Sequence, residues 1–122
     1  MILLDSNILI YSGDEKYRHL RELFKQTETL VSILTKLEVL GYHKIGEKQV
    51  AYFESVFKAI DVITISDEII DQAILYRRQK SMSVGDSIIA ASAKLFHCDL
   101  YTNNVSDFKH INDFKIINPI DF

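Results

Sequence analysis

Short apolar runs alternate along this sequence with longer stretches of helical periodicity, and this alternation constrains the fold more than any other feature. Residues 2–4 (ILL) form a run that ends at an aspartate, as a buried parallel strand does. Strands that alternate with helices are typical of an α/β fold. We therefore predict three layers, with a central, mostly parallel sheet of about five strands flanked by helices. The other predicted strands lie at Leu30, Val31 and Ile33, at Val62, Ile63 and Ile65, at Leu100 and Tyr101, and at 114–117.

Five helices are predicted between these strands. The first is expected to be amphipathic, because Leu20, Leu23 and Phe24 fall on one of its faces. The fourth begins after Ser66, with acidic residues in its first turn and basic residues in its last, as the helix dipole favours. No repeat or linker interrupts the pattern, so we predict a single domain over residues 1–122. The predicted helices cover residues 15–27, 35–43, 47–59, 67–80 and 86–97.

The composition indicates a globular protein of the cytoplasm. Hydrophobic residues make up 48% of the 122 residues and charged residues 25%, and no apolar run is long enough to span a membrane. The apolar N-terminal stretch is interrupted by Asp5 and Asn7 and lacks a basic segment, which argues against a signal peptide. The single cysteine, Cys98, has no partner for a disulfide or a CxxC motif. A reducing compartment is therefore expected.

Four acidic residues from distant parts of the sequence are expected at one edge of the predicted sheet. In open α/β sheets, ligands bind beyond the carboxyl ends of the strands. Asp5 ends the first strand, and Glu38 lies in the first turn of the helix after the second strand. Asp107 follows the fourth strand, with Asn104 in the same loop. Asp86 begins the helix before the fourth strand, and that helix runs antiparallel to the strand, so its first turn lies at the same edge.

Such a group of carboxylates favours a site for divalent cations. Like charges repel, and at least one carboxylate would stay protonated unless cations bind. Oxygen ligands without histidine or cysteine suit Mg²⁺ or Mn²⁺ and make zinc a poor fit. Carboxylate-held divalent ions can activate water and stabilise the leaving oxygen of a phosphodiester. The pattern therefore favours metal-dependent phosphodiester hydrolysis.

Each acidic residue also has a purely structural interpretation. A carboxylate after a strand often closes a turn or caps a helix, and Ser or Thr three residues before an acid is the spacing of a capping box. Only the joint placement of the four acids favours a site. The structural alternatives are an Asx turn or cap at Asp5-Ser6-Asn7, capping boxes at Thr35-x-x-Glu38 and Ser83-x-x-Asp86, and a turn at Asp107.

Other features of the sequence bear on function mainly by exclusion. The net charge of −3, from 14 basic and 17 acidic residues, argues mildly against nucleic-acid binding unless bound cations supply local positive charge. The four histidines are scattered and have no metal-ligand spacing. The motifs GxGxxG, GxSxG and the Walker loop are absent, which argues against nucleotide-binding proteins and serine hydrolases.

Four segments in their order along the chain resemble the PIN-domain family, and within it the VapC-type toxins of bacterial toxin–antitoxin pairs. They are ILLDSNILIY, TKLEVLGY, SVGDSIIAASAKLFHCDLYTNN and VSDF. The resemblance extends over essentially the whole chain and implies an endoribonuclease that uses Mg²⁺ or Mn²⁺. It assigns Asp5, Glu38, Asp86 and Asp107 to the acidic positions of the family, and Asn7, Thr35 and Thr102 to polar positions that support the site.

One position departs from the family pattern. Many relatives have aspartate where this chain has Asn104, which can offer a carbonyl oxygen to a cation but carries no charge. The resemblance also implies an RNA substrate, a homodimer formed through helices, and a cognate antitoxin whose tail covers the active site. A high apolar and aromatic content in residues 30–57 independently favours self-association. The side chains that motivate this prediction are Leu34, Leu37, Leu40, Tyr42, Tyr52, Phe53 and Phe57.

Two other functions are compatible with such a sequence. A catalytically silent PIN-like adaptor would bind RNA or a protein without cutting, although all four acidic positions are filled. A phosphatase with carboxylate-bound Mg²⁺ would use the same kind of sheet. Its usual motif, DxDx[TV], is absent because Asn7 occupies the second acidic position.

Overall fold

All 122 residues are described by a computed structural model, in which strands and helices alternate from the first residues to the last. The strands are β1 (Ile2–Leu4), β2 (Thr29–Ser32), β3 (Asp61–Ile63), β4 (Asp99–Tyr101) and β5 (Ile116–Ile117). The α-helices are α1 (Ser6–Ser12), α2 (Ile33–Leu40), α3 (Glu47–Ala59), α4 (Asp67–Gln79) and α5 (Val84–Leu95). Two 3-10 helices cover Glu15–Lys25 and Val105–Asp107.

The strands form one parallel sheet in the order β3-β2-β1-β4-β5. The chain therefore builds the sheet outward from β1 to β3 and then crosses to the other side of β1 for β4 and β5. Because the direction of winding reverses between β1 and β4, a crevice is expected beyond the carboxyl ends of these two strands. The predicted α/β sheet of about five strands is confirmed.

The two faces of the sheet are covered by separate apolar clusters, because successive side chains of a strand point to opposite faces. Leu3 and Leu30 belong to a cluster with α4 and α5. Leu4 and Val31 belong to a second cluster with α1, α2, α3 and the first 3-10 helix. The molecule therefore has the predicted three layers.

Helix α1 (Ser6–Ser12) was not predicted from the sequence. Its apolar run, Ile8 to Ile10, is continuous and follows a strand after only a short polar interruption, so no helical period is visible in it. The helix forms because Asp5 caps it: the Asp5 carboxylate accepts a hydrogen bond from the Ser6 N–H. The structural interpretation of Asp5 as a cap is thus correct, and it leaves the second carboxylate oxygen for other partners.

The amphipathic α-helix predicted for residues 15–27 is a 3-10 helix over Glu15–Lys25. It is interrupted at Tyr17, whose dihedral angles are φ −115° and ψ 25°. The buried residues Leu20 and Leu23 are three positions apart. This spacing fits a helix of three residues per turn as well as one of 3.6, so the apolar pattern could not separate the two.

Several predicted boundaries were wrong by one to three residues. Ile33 was placed in the second strand but begins α2, because the Ser32 side chain caps that helix through the Leu34 N–H. Helix α5 begins at Val84 because Ser83 caps it. Helix α2 ends at Leu40, where residue 43 was predicted, and α5 ends at Leu95, where residue 97 was predicted. Ile65 and Phe114 were predicted in strands but lie outside them.

The aromatic residues of segment 30–57 serve mainly the core of the chain itself. Phe53 and Phe57 are 5% and 6% exposed and pack in the cluster between α3 and the sheet. Only Leu37 and Tyr42 of the predicted set are strongly exposed, at 69% and 53%. The expectation that this segment holds more apolar side chains than the core needs was therefore wrong for its two phenylalanines.

None of the helices combines the length and the hydrophobicity that crossing a bilayer would require.

Cys98 is buried beside the start of β4, at 2% exposure, and burial raises the pKa of its thiol to about 11 from a usual 9.0. We expect roughly 100-fold less thiolate in the folded protein than in the unfolded chain near pH 8, because the pKa differs by about two units. The rate of labelling by a disulfide reagent, measured with and without denaturant, checks this. Equal rates in the two conditions would contradict the buried position.

Candidate active site at the carboxyl edge of the sheet

Asp5 lies at the crevice between β1 and β4. Its backbone N–H donates to the Tyr101 carbonyl at 3.0 Å, which continues the pairing of the two strands. The side chain is buried, and its Oδ1 accepts from the Ser6 N–H at 2.9 Å. Its Oδ2 accepts from Thr102 Oγ1 at 2.9 Å and from Asn7 Nδ2 at 3.2 Å. Three donors from two strand ends therefore hold the carboxylate in one orientation.

Thr102 and Asn7 support Asp5 by contacts that join two distant parts of the chain. Thr102 is fully buried directly after β4, and its Oγ1 also accepts from the Asn104 N–H at 3.0 Å. Asn7 Nδ2 lies 3.3 Å from the same hydroxyl oxygen. The resemblance assigned supporting positions to Asn7 and Thr102, and the structure places both in hydrogen bonds with Asp5.

The sequence analysis missed Asn103. Its backbone N–H donates to Asn7 Oδ1 at 3.0 Å and so fixes which end of the Asn7 amide faces Asp5. Its position next to Thr102 was the only signal in the sequence, and that signal is weak because the contact is made by the backbone.

Glu38 lies in the second turn of α2, so the predicted capping box at Thr35-x-x-Glu38 was wrong. Ser32 caps the helix instead, which leaves the Glu38 side chain free of a capping role. A Cβ atom built on Gly85 would lie 3.9 Å from Glu38 Oε2. The Glu38 carboxylate is therefore close to the first turn of α5.

Asp86 occupies that first turn of α5. Its backbone N–H donates to Ser83 Oγ at 3.0 Å, which confirms the predicted cap at Ser83. The Asp86 side chain is half-buried. The helix cap uses the backbone N–H of Asp86, and the Ser83 hydroxyl also acts on its carboxyl by a hydrogen bond that favours the charged form.

Asp107 and Asn104 lie in the loop after β4. Asp107 ends the short 3-10 helix Val105–Asp107 and is exposed. Asn104 precedes this helix, and its side chain makes no hydrogen bond. Asn104 joins the hydrogen bonds around Asp5 through its backbone N–H alone, which donates to Thr102 Oγ1.

Thr35, predicted as a supporting residue, is fully buried in the first turns of α2. Its hydroxyl oxygen has no hydrogen-bond partner. The structure therefore connects Thr102 and Asn7 to Asp5 by hydrogen bonds and does not connect Thr35 in this way.

The pKa of the Asp5 carboxyl is raised above its usual value, mainly because the group is buried. Hydrogen bonds from Thr102, Ser6 and Asn7 stabilise the charged form and oppose this effect, and the negative charge of Asp107 adds to it. Burial and hydrogen bonding therefore act on this carboxyl in opposite directions, and burial dominates.

Glu38 and Asp86 also have raised pKa values, with partial burial as the largest cause for both. The charges of Asp5 and Asp86 raise the pKa of Glu38 further, although its side chain is largely exposed. The charges of Asp5 and Asp107 do the same for Asp86. Each of the four acids predicted from the sequence therefore interacts unfavourably with at least two of the others.

The negative charge of this region is uncompensated within the chain. None of the four acids takes part in any of the ion pairs of the structure. No three acidic, histidine or cysteine side chains already stand in the arrangement that would hold a metal ion. The donors are nevertheless all hard oxygen atoms with unsatisfied charge, and this chemistry fits Mg²⁺ or Mn²⁺.

Glu38 and Asp107 are exposed at the acidic edge, the part of the carboxyl edge of the sheet that carries the four acids. A cavity of about 660 Å³ between α1, α2 and α3 is lined by residues that include Tyr42, Tyr52 and Phe53, and by none of the four acids.

Comparison of the sequence with protein families gives one match, to the PIN domain, over residues 2–113. The match covers almost the whole chain, including all the residues of the acidic edge. Comparison with curated proteins finds no significant match.

Several solved structures share this fold, among them a toxin–antitoxin complex and a toxin. A toxin–antitoxin complex from Klebsiella pneumoniae matches with a TM-score of 0.80 and 26% identity, over 98% of each chain. DNA-bound VapBC from Salmonella typhimurium matches with a TM-score of 0.80 and 24% identity, over 94% of this chain and 95% of that one. VapC20 from Mycobacterium tuberculosis, a toxin that cleaves the sarcin–ricin loop, matches with a TM-score of 0.69 and 12% identity, over 87% and 93%.

Proposed function

We propose, from the premise that this chain belongs to the PIN domain family, that it is a divalent-metal-dependent endoribonuclease and the toxin of a toxin–antitoxin pair. The observation that carries the proposal is that acids from separate parts of the sequence lie close enough for their charges to interact. The charges of Asp5 and Asp86 raise the pKa of Glu38, and the charge of Asp107 raises the pKa of Asp5 and Asp86. Carboxylates that only cap helices have no reason to gather at the switch point of a parallel sheet.

Asp5, Glu38, Asp86 and Asp107 would hold the metal ion, with Asn104 as a further oxygen donor from the same loop. When bound, a divalent ion neutralises the acids, lowers the pKa of water and stabilises the leaving oxygen of a phosphodiester. Whether one or two ions bind depends on Asn104, which is neutral where many relatives carry a charge.

The residues of the chain have separate tasks in this proposal. Thr102 and Asn7 keep the Asp5 carboxylate in a fixed orientation, so that no reorganisation is needed when substrate arrives. Glu38 is exposed and would accept a proton from an attacking water. The water oxygen bonds to phosphorus as the phosphorus–oxygen bond of the leaving group breaks, so no side-chain nucleophile is required.

Charge at the acidic edge also bears on the RNA substrate. Lys36, Lys80 and Lys109 are close in sequence to the four acids, are exposed, and form no ion pair within the chain. We expect these lysines to contact phosphates of a bound RNA, which would offset the overall net charge of −3. A cognate antitoxin as inhibitor and a homodimer as the active form complete the proposal.

Purified protein incubated with structured RNA is expected to cut it in Mn²⁺ or Mg²⁺ and to leave it intact in EDTA. The ends of the fragments, read by sequencing, report the site of cleavage. A small phosphate ester such as p-nitrophenyl phosphate should not be hydrolysed.

Two outcomes would contradict the proposal. Tight RNA binding without cleavage in either metal would indicate the silent adaptor, and hydrolysis of the small ester without RNA cleavage would indicate a phosphatase. Protein carrying Asp5→Asn and purified in the same way is the control for contaminating nucleases.

A further inference from the structure

The residues that follow β4 and β5 lie side by side at the carboxyl edge of the sheet. Tyr101 and Ile117 are paired in the parallel register, and each is the last residue of its strand. The residue after β5, Asn118, therefore comes close to the loop after β4. Its Nδ2 donates to Asn103 Oδ1 at 3.1 Å. The loop after β4 is in this way joined to the C-terminal segment, residues 118–122.

The C-terminal segment is itself held in place by the rest of the chain. Asn118 Oδ1 accepts from the Ile120 N–H at 3.1 Å, which fixes the orientation of the Asn118 amide. The Pro119 carbonyl lies 3.1 Å from His19 Nε2. The Ile120 side chain packs against the apolar cluster on the face of the sheet that α3 covers. Asn118 therefore presents its amide N–H to Asn103 from a fixed position.

Asn103 is braced from two sides and passes this constraint on through its backbone. Besides the contact with Asn118, its Nδ2 donates to the Tyr11 hydroxyl of α1 at 3.4 Å. Its backbone N–H donates to Asn7 Oδ1 at 3.0 Å, and Asn7 Nδ2 donates to Asp5 Oδ2 at 3.2 Å. A continuous series of contacts thus runs from the C-terminal segment to the Asp5 carboxylate.

We propose that Asn103 and Asn118 are positioning residues, which hold the loop after β4 so that Asn7 keeps the Asp5 carboxylate in one orientation. A shift of this loop would take the Asn103 N–H away from Asn7, whose amide would then be free to turn away from Asp5. A carboxylate that is oriented in advance binds a cation more tightly, because no ordering is left to be done on binding. The proposal rests on the proposed function for its activity readouts and on the hydrogen bonds alone for its measurement in metal-free protein.

A purely structural alternative would give these contacts no task beyond attaching the C-terminal segment. Asn118 is exposed, and an exposed hydrogen bond contributes little to the stability of a domain. Its loss would then lower the melting temperature slightly and leave the chemistry of the folded protein unchanged. Positioning is favoured because the contacts do not end at the segment: they continue to a buried carboxylate at the crevice between β1 and β4.

Hydrogen exchange of the Asn103 backbone N–H, followed by NMR in EDTA, tests the series of contacts without any assumption about catalysis. Asn118→Ala removes the donor to Asn103 Oδ1, and exchange of this N–H should become at least about threefold faster. The control is Asn112→Ala, an exposed asparagine in the loop before β5, which should leave the exchange rate unchanged. An unchanged rate in Asn118→Ala would overturn the proposal.

Cleavage kinetics separate positioning from attachment. Asn103→Ala keeps the backbone N–H and loses both side-chain contacts, so kcat should fall by about tenfold while KM for RNA stays unchanged. In protein that already carries Asn7→Ala, Asn118→Ala should have no further effect on kcat, because the series of contacts is already interrupted. Independent, multiplicative effects of these two changes would count against positioning, and so would a wild-type kcat in folded Asn103→Ala.

Failure of the proposed function would give a different pattern. If the wild type does not cut RNA, the nuclease assignment fails, while the exchange rate of the Asn103 N–H still decides whether the contacts position Asn7. The rise in melting temperature that Mn²⁺ produces is a second readout without RNA, and it should be smaller in Asn118→Ala than in Asn112→Ala. If Asn103→Ala does not give a native circular dichroism spectrum, Asn118→Ala replaces it in the kinetic comparison.

Discussion

The variant Asp5→Asn is expected to lose metal-dependent RNA cleavage by at least about 10²-fold while it keeps its fold. The change removes a charged oxygen ligand from the centre of the four acids and leaves the size of the side chain almost unchanged. Initial cleavage rates in Mn²⁺, compared with wild type at equal protein concentration, measure the loss.

The fold should survive because the hydrogen bonds of Asp5 can largely be kept by an amide. The amide oxygen can still accept from the Ser6 N–H and cap α1. Where the amide nitrogen replaces Oδ2, the Thr102 hydroxyl can turn to accept a hydrogen bond instead of donating one, and the hydrogen bond from Asn7 is lost. A neutral amide also avoids the free-energy cost of burying a charge, which is the main reason why the pKa of the Asp5 carboxyl is raised.

A matched control is the same substitution at Asp61, which is exposed at the start of β3, far from the carboxyl ends of the strands. Asp61→Asn should cleave RNA as fast as wild type. If a folded Asp5→Asn protein cleaved as fast as this control, the assignment of the active site would be refuted.

Asp86→Asn is expected to raise the melting temperature in EDTA and to reduce the further rise that Mn²⁺ produces. Neutralising Asp86 relieves its repulsion with Asp5 and Asp107. A rise of a few degrees is expected, since about 1 kcal/mol moves the midpoint of a domain of this size by roughly 4 °C. The effect of Mn²⁺ falls because a ligand stabilises the folded state in proportion to its affinity for that state.

The dependence on pH follows from the direction of the pKa shifts. The folded state raises the pKa of Asp5, Glu38 and Asp86 above the unfolded values near 3.8 and 4.5. The stability that these groups contribute is present at pH below the unfolded values and is lost as the pH rises through the folded ones. The advantage of Asp86→Asn in EDTA should therefore be largest near pH 7 and should shrink toward pH 4.

A role of Asp86 in capping alone predicts the opposite sign. Loss of a negative charge in the first turn of a helix would cost roughly 0.3–1 kcal/mol through the dipole. Glu68→Gln in the first turn of α4 is the control for that effect: it should melt slightly lower and respond to Mn²⁺ as wild type does. If Asp86→Asn behaved like Glu68→Gln, Asp86 would be a helix-terminus residue and not a metal ligand.

Much of the fold could be predicted from the sequence because its signals are local. The apolar runs before Asp5 and around Leu30 and Leu100 predict buried strands without any knowledge of what covers them. Ser66 and Ser83 were recognised as caps because a hydroxyl and the N–H three residues later are neighbours in sequence. Helix α1 was missed, and the 3-10 helix over Glu15–Lys25 was predicted as an α-helix, because their apolar spacing does not distinguish the possible helices or turns.

The candidate site could be predicted only in part. Strands that alternate with helices form a parallel sheet, and the carboxyl ends of its strands lie at one edge. This predicted a shared edge for the four acids, Asp5, Glu38, Asp86 and Asp107. Glu38 takes no part in a capping box because α2 begins two residues earlier than predicted. The start of the helix is set by Ser32, which caps it. The contact of Asn103 with Asn7 spans 96 residues, and no local pattern reports it.

The sequence by itself therefore determined the class of fold, the parallel alternation and the positions of the acidic residues, because these depend on periodicity and on neighbours along the chain. Only the tertiary structure decided which apolar side chains remain exposed to solvent. Phe53 and Phe57 are buried against the sheet, while Ile70 and Ile74 are left exposed on α4. All four lie in helices of mixed character, and exposure depends on which face of a helix the sheet covers. That choice is made by the packing of the whole chain.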